Sequence, residues 1–124
     1  MARVWLALAA FSGFLSVALG ALGAHSLKNV LDEYGKSIYD KAVTYQMFHT
    51  MGLFAVGLLQ MFLKNTSLAI SGWSFLTGIF LFSGSLYFLA LTGVAWLGAI
   101  TPLGGIAFLI GWAFLGFKII QATI

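Results

Sequence analysis

The 124-residue sequence contains no cysteine and a single proline, and only 7% of its residues are charged. Without cysteine there is no disulfide, no thiolate metal site and no cysteine nucleophile. Roughly a quarter of the residues in a soluble domain are charged, and a chain this poor in charge cannot screen a composition that is 61% hydrophobic. The three acids, Asp32, Glu33 and Asp40, fall in one short stretch. The apolar runs are left without the carboxylate on which proton-coupled carriers usually rely, and no serine, histidine and acid pattern for hydrolysis can be assembled. The net charge of +3 comes from scattered residues (Arg3, Lys28, Lys36, Lys41, Lys64 and Lys118). Such a distribution carries topology signals and argues against nucleic-acid binding.

What is present is apolar sequence in lengths that match a bilayer. Mean hydropathy is +1.04, and spans are expected at about 4–24, 38–63, 67–91 and 101–120, each near the ~20 residues that cross ~30 Å of hydrocarbon. The expected fold is an all-α membrane protein, a single four-helix transmembrane domain over 1–124 in up-down-up-down order. Arg3 followed by an apolar run ending in small residues also fits a cleaved signal peptide; the run is longer than a usual signal core and is read as a retained helix. Within it Ser12, Ser16, Gly20 and Ala24 are spaced by four, a small-residue stripe against which another helix can pack closely, with Gly23 beside it.

Between the first two spans, Leu27, Val30, Leu31 and Tyr34 recur at helical spacing against Lys28, Asp32 and Glu33. This predicts a short amphipathic helix at the interface over 26–34, with Gly35 as its stop. Ser37-Ile38-Tyr39-Asp40 resembles a capping box that would start the second span near Ile38. Trp96, in the uncharged turn from Thr92 to Ile100, is expected as an interfacial anchor. Pro102 fits the first turn of the fourth helix. Gly104-Gly105 after it would weaken that helix locally, and a broken helix of the transporter kind is the sharper reading.

Polar side chains inside the spans mark the candidate site. Tyr45, Gln46 and His49 lie on neighbouring parts of one helix face, which should turn to the bundle interior because lipid offers their donors and acceptors no partners. His49 is the one group inside the spans whose ordinary pKa is near neutrality. In an up-down-up-down order the end of helix one (His25), the start of helix two (Tyr45, Gln46, His49), the end of helix three (Ser83, Ser85, Tyr87) and the start of helix four (Thr101, Gly104, Gly105) share one leaflet. These groups form either a site or a satisfied polar network holding the helices in register.

Four stretches carry a resemblance to a known family: GALGAHSL from Gly20, YQMFHT from Tyr45, FSGSLYFLAL from Phe82, including Gly84, and TPLGG from Thr101. With that spacing the chain resembles, over nearly its whole length, the YgdD- and YwdK-like family of small bacterial membrane proteins. This family carries a domain of unknown function and has a small eukaryotic transmembrane relative. The resemblance implies a four-helix integral protein of the bacterial inner membrane and supplies no reaction. Its motifs coincide with the polar residues named above.

Three functions are weighed. The first is a structural or accessory protein that packs against or stabilises a membrane complex, with the lipid bilayer and a membrane-protein partner or homo-oligomer as its contacts. The second is a small-solute or ion carrier or channel with a polar site around His49. The third is a haem- or metal-binding membrane protein using His25 and His49, whose differing depths make one shared centre awkward; no cofactor is expected. Lys and Arg are tied at three on each side, and the free amino terminus beside Arg3 leans toward both termini being cytoplasmic.

Overall fold

The computed structural model describes residues 1–123 and holds four helices long and apolar enough to cross a membrane. We label them α1 (Ala2–Ala24), α2 (Glu33–Phe62), α3 (Ala69–Thr92) and α4 (Thr101–Gln121). Each packs antiparallel on the next in sequence, while α2 and α4 make little direct backbone contact.

The connection before α2 differs from the expected interfacial helix. Residues 25–30 form successive turns, closed by bonds such as Val30 N–H to Leu27 O at 3.1 Å, and α2 begins at Glu33. The reason is the Asp32 side chain, whose Oδ1 accepts from Gly35 N–H at 2.6 Å and so supplies the N-cap. Glu33 then stands in the first turn, where the helix dipole favours an acid. Gly35 is no stop: it is buried inside α2, facing Leu31 and the Ala90 carbonyl. Ser37 lies exposed on the outside of a helix already under way, so it caps nothing. At 30 residues α2 is about 45 Å long, so its charged first two turns project beyond ~30 Å of hydrocarbon.

At the opposite end of α2 a single side chain organises the loop. The Gln60 amide donates to the carbonyls of Leu63 (3.1 Å) and Thr66 (2.7 Å) and accepts from Leu68 N–H at 2.8 Å. Three backbone groups of the loop are thereby satisfied without water, and α3 can start at Ala69.

α3 is not uniform. Its middle, Ile79–Gly84, is a π-helical segment flanked by α-helix on both sides. The extra residue per turn re-aims Ser83, whose hydroxyl donates to Ala42 O on α2 at 2.8 Å. Opposite the same segment, a Cβ on Gly104 would overlap the Phe82 backbone nitrogen. Gly104 is therefore a contact residue, and α4 runs unbroken through Gly104-Gly105, which corrects the broken-helix expectation. Gly93, at φ 71, ends α3 in the left-handed conformation that glycine adopts freely. A 3₁₀ turn over Ala95–Ala99 carries the exposed Trp96 and leads to α4, with Pro102 in its first turn as expected.

The buried apolar residues fall into two clusters. One, toward the termini, gathers Trp5, Leu53, Phe75, Phe108 and their neighbours; the other joins Ile38, Ala42, Leu86 and Leu89 at the opposite end. Between them along α2 lie Gln46, His49 and Thr50, all buried. The polar layer is thus a band across the bundle rather than one of its ends.

Candidate functional site

The band divides into a closed half and an open half. In the closed half, between α1, α2 and α3, the polar side chains of the band bond to protein partners. Ser12 Oγ and Thr50 Oγ1 are 2.6 Å apart, Gln46 Nε2 donates to Ser12 O at 3.2 Å, and Tyr87 Oη donates to Gln46 Oε1 at 2.6 Å. Ser16 Oγ returns a bond to Ser12 O within α1. About two turns back toward the start of α2, the Tyr39 hydroxyl donates to Leu19 O, and its ring fills the space left by Gly23. Gly20 only meets Val43, at an ordinary 3.5 Å. The stripe Ser12, Ser16 therefore supplies hydrogen bonds as well as close approach.

A separate pair closes α3 onto α4: Ser85 Oγ lies 2.6 Å from Thr101 Oγ1 and donates to Phe82 O at 2.9 Å. Nearer the termini Ser71 Oγ donates to Gly111 O at 2.9 Å. Gly84, by contrast, approaches no neighbouring helix closely.

The open half lies between α2 and α4. A cavity of about 690 Å³ is lined there by Tyr45, Phe48, His49, Phe82, Phe108 and Trp112, with Pro102 and Gly105 at its edge. Its walls are aromatic and stacked: Tyr45 lies over Phe82 at 4.4 Å between centroids, and His49 lies face to face with Phe108 at 3.4 Å and 7°. Such parallel contacts bridge the gap that the backbones leave. His49 is only 4% exposed. Its Nδ1 is 2.8 Å from Tyr45 O, and since a carbonyl only accepts, Nδ1 carries the proton. In the neutral ring Nε2 is then an acceptor, and it has no partner among the described residues. The one such atom sealed from the surface is Trp5 Nε1, so Nε2 of His49 opens on the cavity it lines.

Of the residues singled out in the sequence, Gln46, Tyr87, Ser83, Ser85 and Thr101 join the interhelical hydrogen bonds, and Tyr45 and His49 line the cavity. Tyr45 is 40% exposed, so it does not turn fully inward. His25 stands apart, exposed in the turns before α2, and contributes nothing to the band. With His25 at the surface and His49 inside a span, the structure does not bring the two histidines together as ligands. Reasoning from sequence missed Thr50 and Tyr39 as bonding partners and the aromatic residues Phe108 and Trp112. Thr50 closes the polar cluster that begins at Tyr45, without a sequence signal for its partner; the aromatics carry no signal among 20 aromatic residues (12 Phe, 4 Trp and 4 Tyr).

With this geometry in hand, comparison with known proteins gives a consistent result. A family model described as "Protein of unknown function (DUF423)" matches residues 19–105, more than half of the chain. The chain belongs to the DUF423 family. A UPF0382 membrane protein of Staphylococcus epidermidis is 48% identical over 115 residues, covering 91% of this chain and 92% of the relative. The UPF0382 membrane protein YwdK of Bacillus subtilis is 44% identical over 111 residues, covering 89% and 90%. A UPF0382 membrane protein of Haemophilus influenzae is 46% identical over 118 residues, covering 94% of each chain. No solved structure matches. The DUF423 model begins near the end of α1 and stops just inside α4, so it takes in the polar residues of α2 and α3 and leaves out Ser12, Phe108 and Trp112.

Proposed function

We propose that this DUF423 protein is a structural or accessory protein of the bacterial inner membrane, with both termini cytoplasmic, that packs with and stabilises a membrane complex. The observation that carries this reading is the linked set Ser12, Gln46, Thr50 and Tyr87. Each of these side chains is hydrogen-bonded to another of the set, across three helices. A carrier needs polar groups free to exchange partners with a solute; these are engaged in fixing helix register. The outer surface fits the same reading, with large apolar side chains such as Phe14, Phe62, Phe80, Leu109 and Ile120 exposed across all four helices.

The test is native mass spectrometry of the protein extracted gently from its own membranes. A recurrent mass beyond whole multiples of 13.3 kDa, identified as another membrane protein, is the expected result. Bare chains or bare homo-oligomers, together with solute flux in liposomes, would overturn it in favour of a carrier. Placement of the termini is read by adding a reporter after residue 124: the reporter is expected to be active only in the cytoplasm.

A further inference from the structure

We propose that the cavity between α2 and α4 binds a neutral, membrane-dissolved ring compound bearing a hydroxyl, of the quinol class, with His49 Nε2 accepting the hydroxyl hydrogen. This goes beyond the accessory role and stands whether or not a partner protein exists.

Four observations converge on that class of ligand. First, the cavity's rim consists of residues facing the hydrocarbon: Phe48 is 60% exposed, Ile106 54% and Leu109 70%. Entry is therefore sideways from the lipid, and the ligand must already be dissolved there. Second, at about 690 Å³ the cavity falls within the ~300–1,000 Å³ typical of small-molecule sites. Third, no charged residue lines it; the hydroxyl-bearing Thr44 and Tyr45 are exposed, and the buried polar residue of the lining, His49, presents an acceptor. A neutral ligand with a hydrogen to donate satisfies that atom without bringing a charge into an uncharged apolar site, whereas a ligand with acceptors alone leaves it unpaired. Fourth, the exposed rings of Tyr45, Phe48 and Trp112 offer flat apolar faces, which favour a planar ring over a flexible chain.

Depth excludes a phospholipid headgroup. The charged end of α2 stops at Lys41, and His49 lies eight residues further on, about 12 Å along the helix axis at 1.5 Å per residue. A phosphate would have to leave the interface to reach it. A quinol places its ring and hydroxyl at such a depth with its tail in the hydrocarbon.

The experiment uses the full chain in lipid nanodiscs, labelled with ¹⁵N-histidine, with His25→Gln to leave the His49 signals alone. The probes are a benzoquinol carrying a decyl chain, the corresponding quinone and the dimethyl ether of the quinol. The quinol is expected to move the His49 Nε2 resonance saturably. The quinone and the ether, which cannot donate, are expected to bind about tenfold or more weakly, as loss of a buried hydrogen bond implies. A resonance that does not move, or that moves equally with all three probes, overturns the proposal. A second variant, Leu109→Trp, fills the rim and leaves the His49 bond to Tyr45 in place. It is expected to abolish the quinol response while the thermal midpoint stays unchanged; an unaltered response would overturn the placement in this cavity.

Discussion

The two sides of α2 are built on different physical terms. Toward α1 and α3, small residues let backbones approach, and Ser12, Gln46, Thr50 and Tyr87 each find a protein partner in one linked set of hydrogen bonds. Toward α4 the backbones stay apart, aromatic rings span the gap, and His49 keeps one nitrogen uncommitted. In hydrocarbon, where water cannot repair a missing bond, the first arrangement fixes register and the second can receive something. One helix thus carries both a lock and an opening, and the boundary between them runs between Gln46 and His49, less than one turn apart.

The largest expected effect tests whether the opening is held by backbone contact. Gly104 sits where α4 meets the π segment of α3, and the Cβ of Gly104→Ala would collide with main chain rather than with a movable side chain. Thermal unfolding in detergent is expected to show a loss of ~1–3 kcal/mol, the usual scale of overpacking. Gly116→Ala, where a Cβ meets nothing within 4 Å, is the control and should be neutral or slightly stabilising. Equal behaviour of the two would mean that α3 and α4 are not seated by this contact.

Of similar size is Gln46→Leu, which breaks the lock at its centre. It strands the Tyr87 hydroxyl and removes a donor from the Ser12 carbonyl, with an expected cost of ~1–3 kcal/mol for the buried groups left unpaired. A double-mutant cycle on Ser12→Ala and Thr50→Ala sharpens the same point. Coupling near ~0.6 kcal/mol, the average for interhelical hydrogen bonds in membranes, is expected; zero coupling would remove that pair from the lock.

How much of this was legible beforehand follows from what each signal measures. The four spans were readable because length and apolarity are summed over some twenty residues, and local errors cancel. The polar residues of the band were readable as types, since Gln46, His49, Ser83 and Ser85 are conspicuous in apolar surroundings. Their pairing was not, because it depends on helix rotation and on the π segment, which shifts every residue after it by a fraction of a turn. The amphipathic pattern at 26–34 misled because its periodicity was real but competed with Asp32, whose single bond to Gly35 N–H set the helix start. Gly104-Gly105 misled in the opposite sense: two glycines signal flexibility in sequence, whereas here one of them is the price of a close crossing. The aromatic walls were invisible because nothing separates a lining Phe from a lipid-facing one without the fold.

The smallest expected effects decide whether the two sides of α2 really differ. Tyr45 and Tyr87 are both tyrosines on the polar band, but the Tyr87 hydroxyl is bonded to Gln46 and the Tyr45 hydroxyl has no bond to the protein among the described residues. Tyr87→Phe leaves the Gln46 carbonyl oxygen unpaired and is expected to cost ~1 kcal/mol. Tyr45→Phe keeps the ring stacked on Phe82 and should stay within ~0.5 kcal/mol of the parent. His49→Leu and His25→Leu form a parallel pair. The first removes a buried ring packed on Phe108 and bonded to Tyr45 O, and the second trims an exposed turn. The His49 change should therefore lower the thermal midpoint and the His25 change should not. Were Tyr45→Phe as costly as Tyr87→Phe, the side toward α4 would be a second lock, and His49 would owe its place to packing alone.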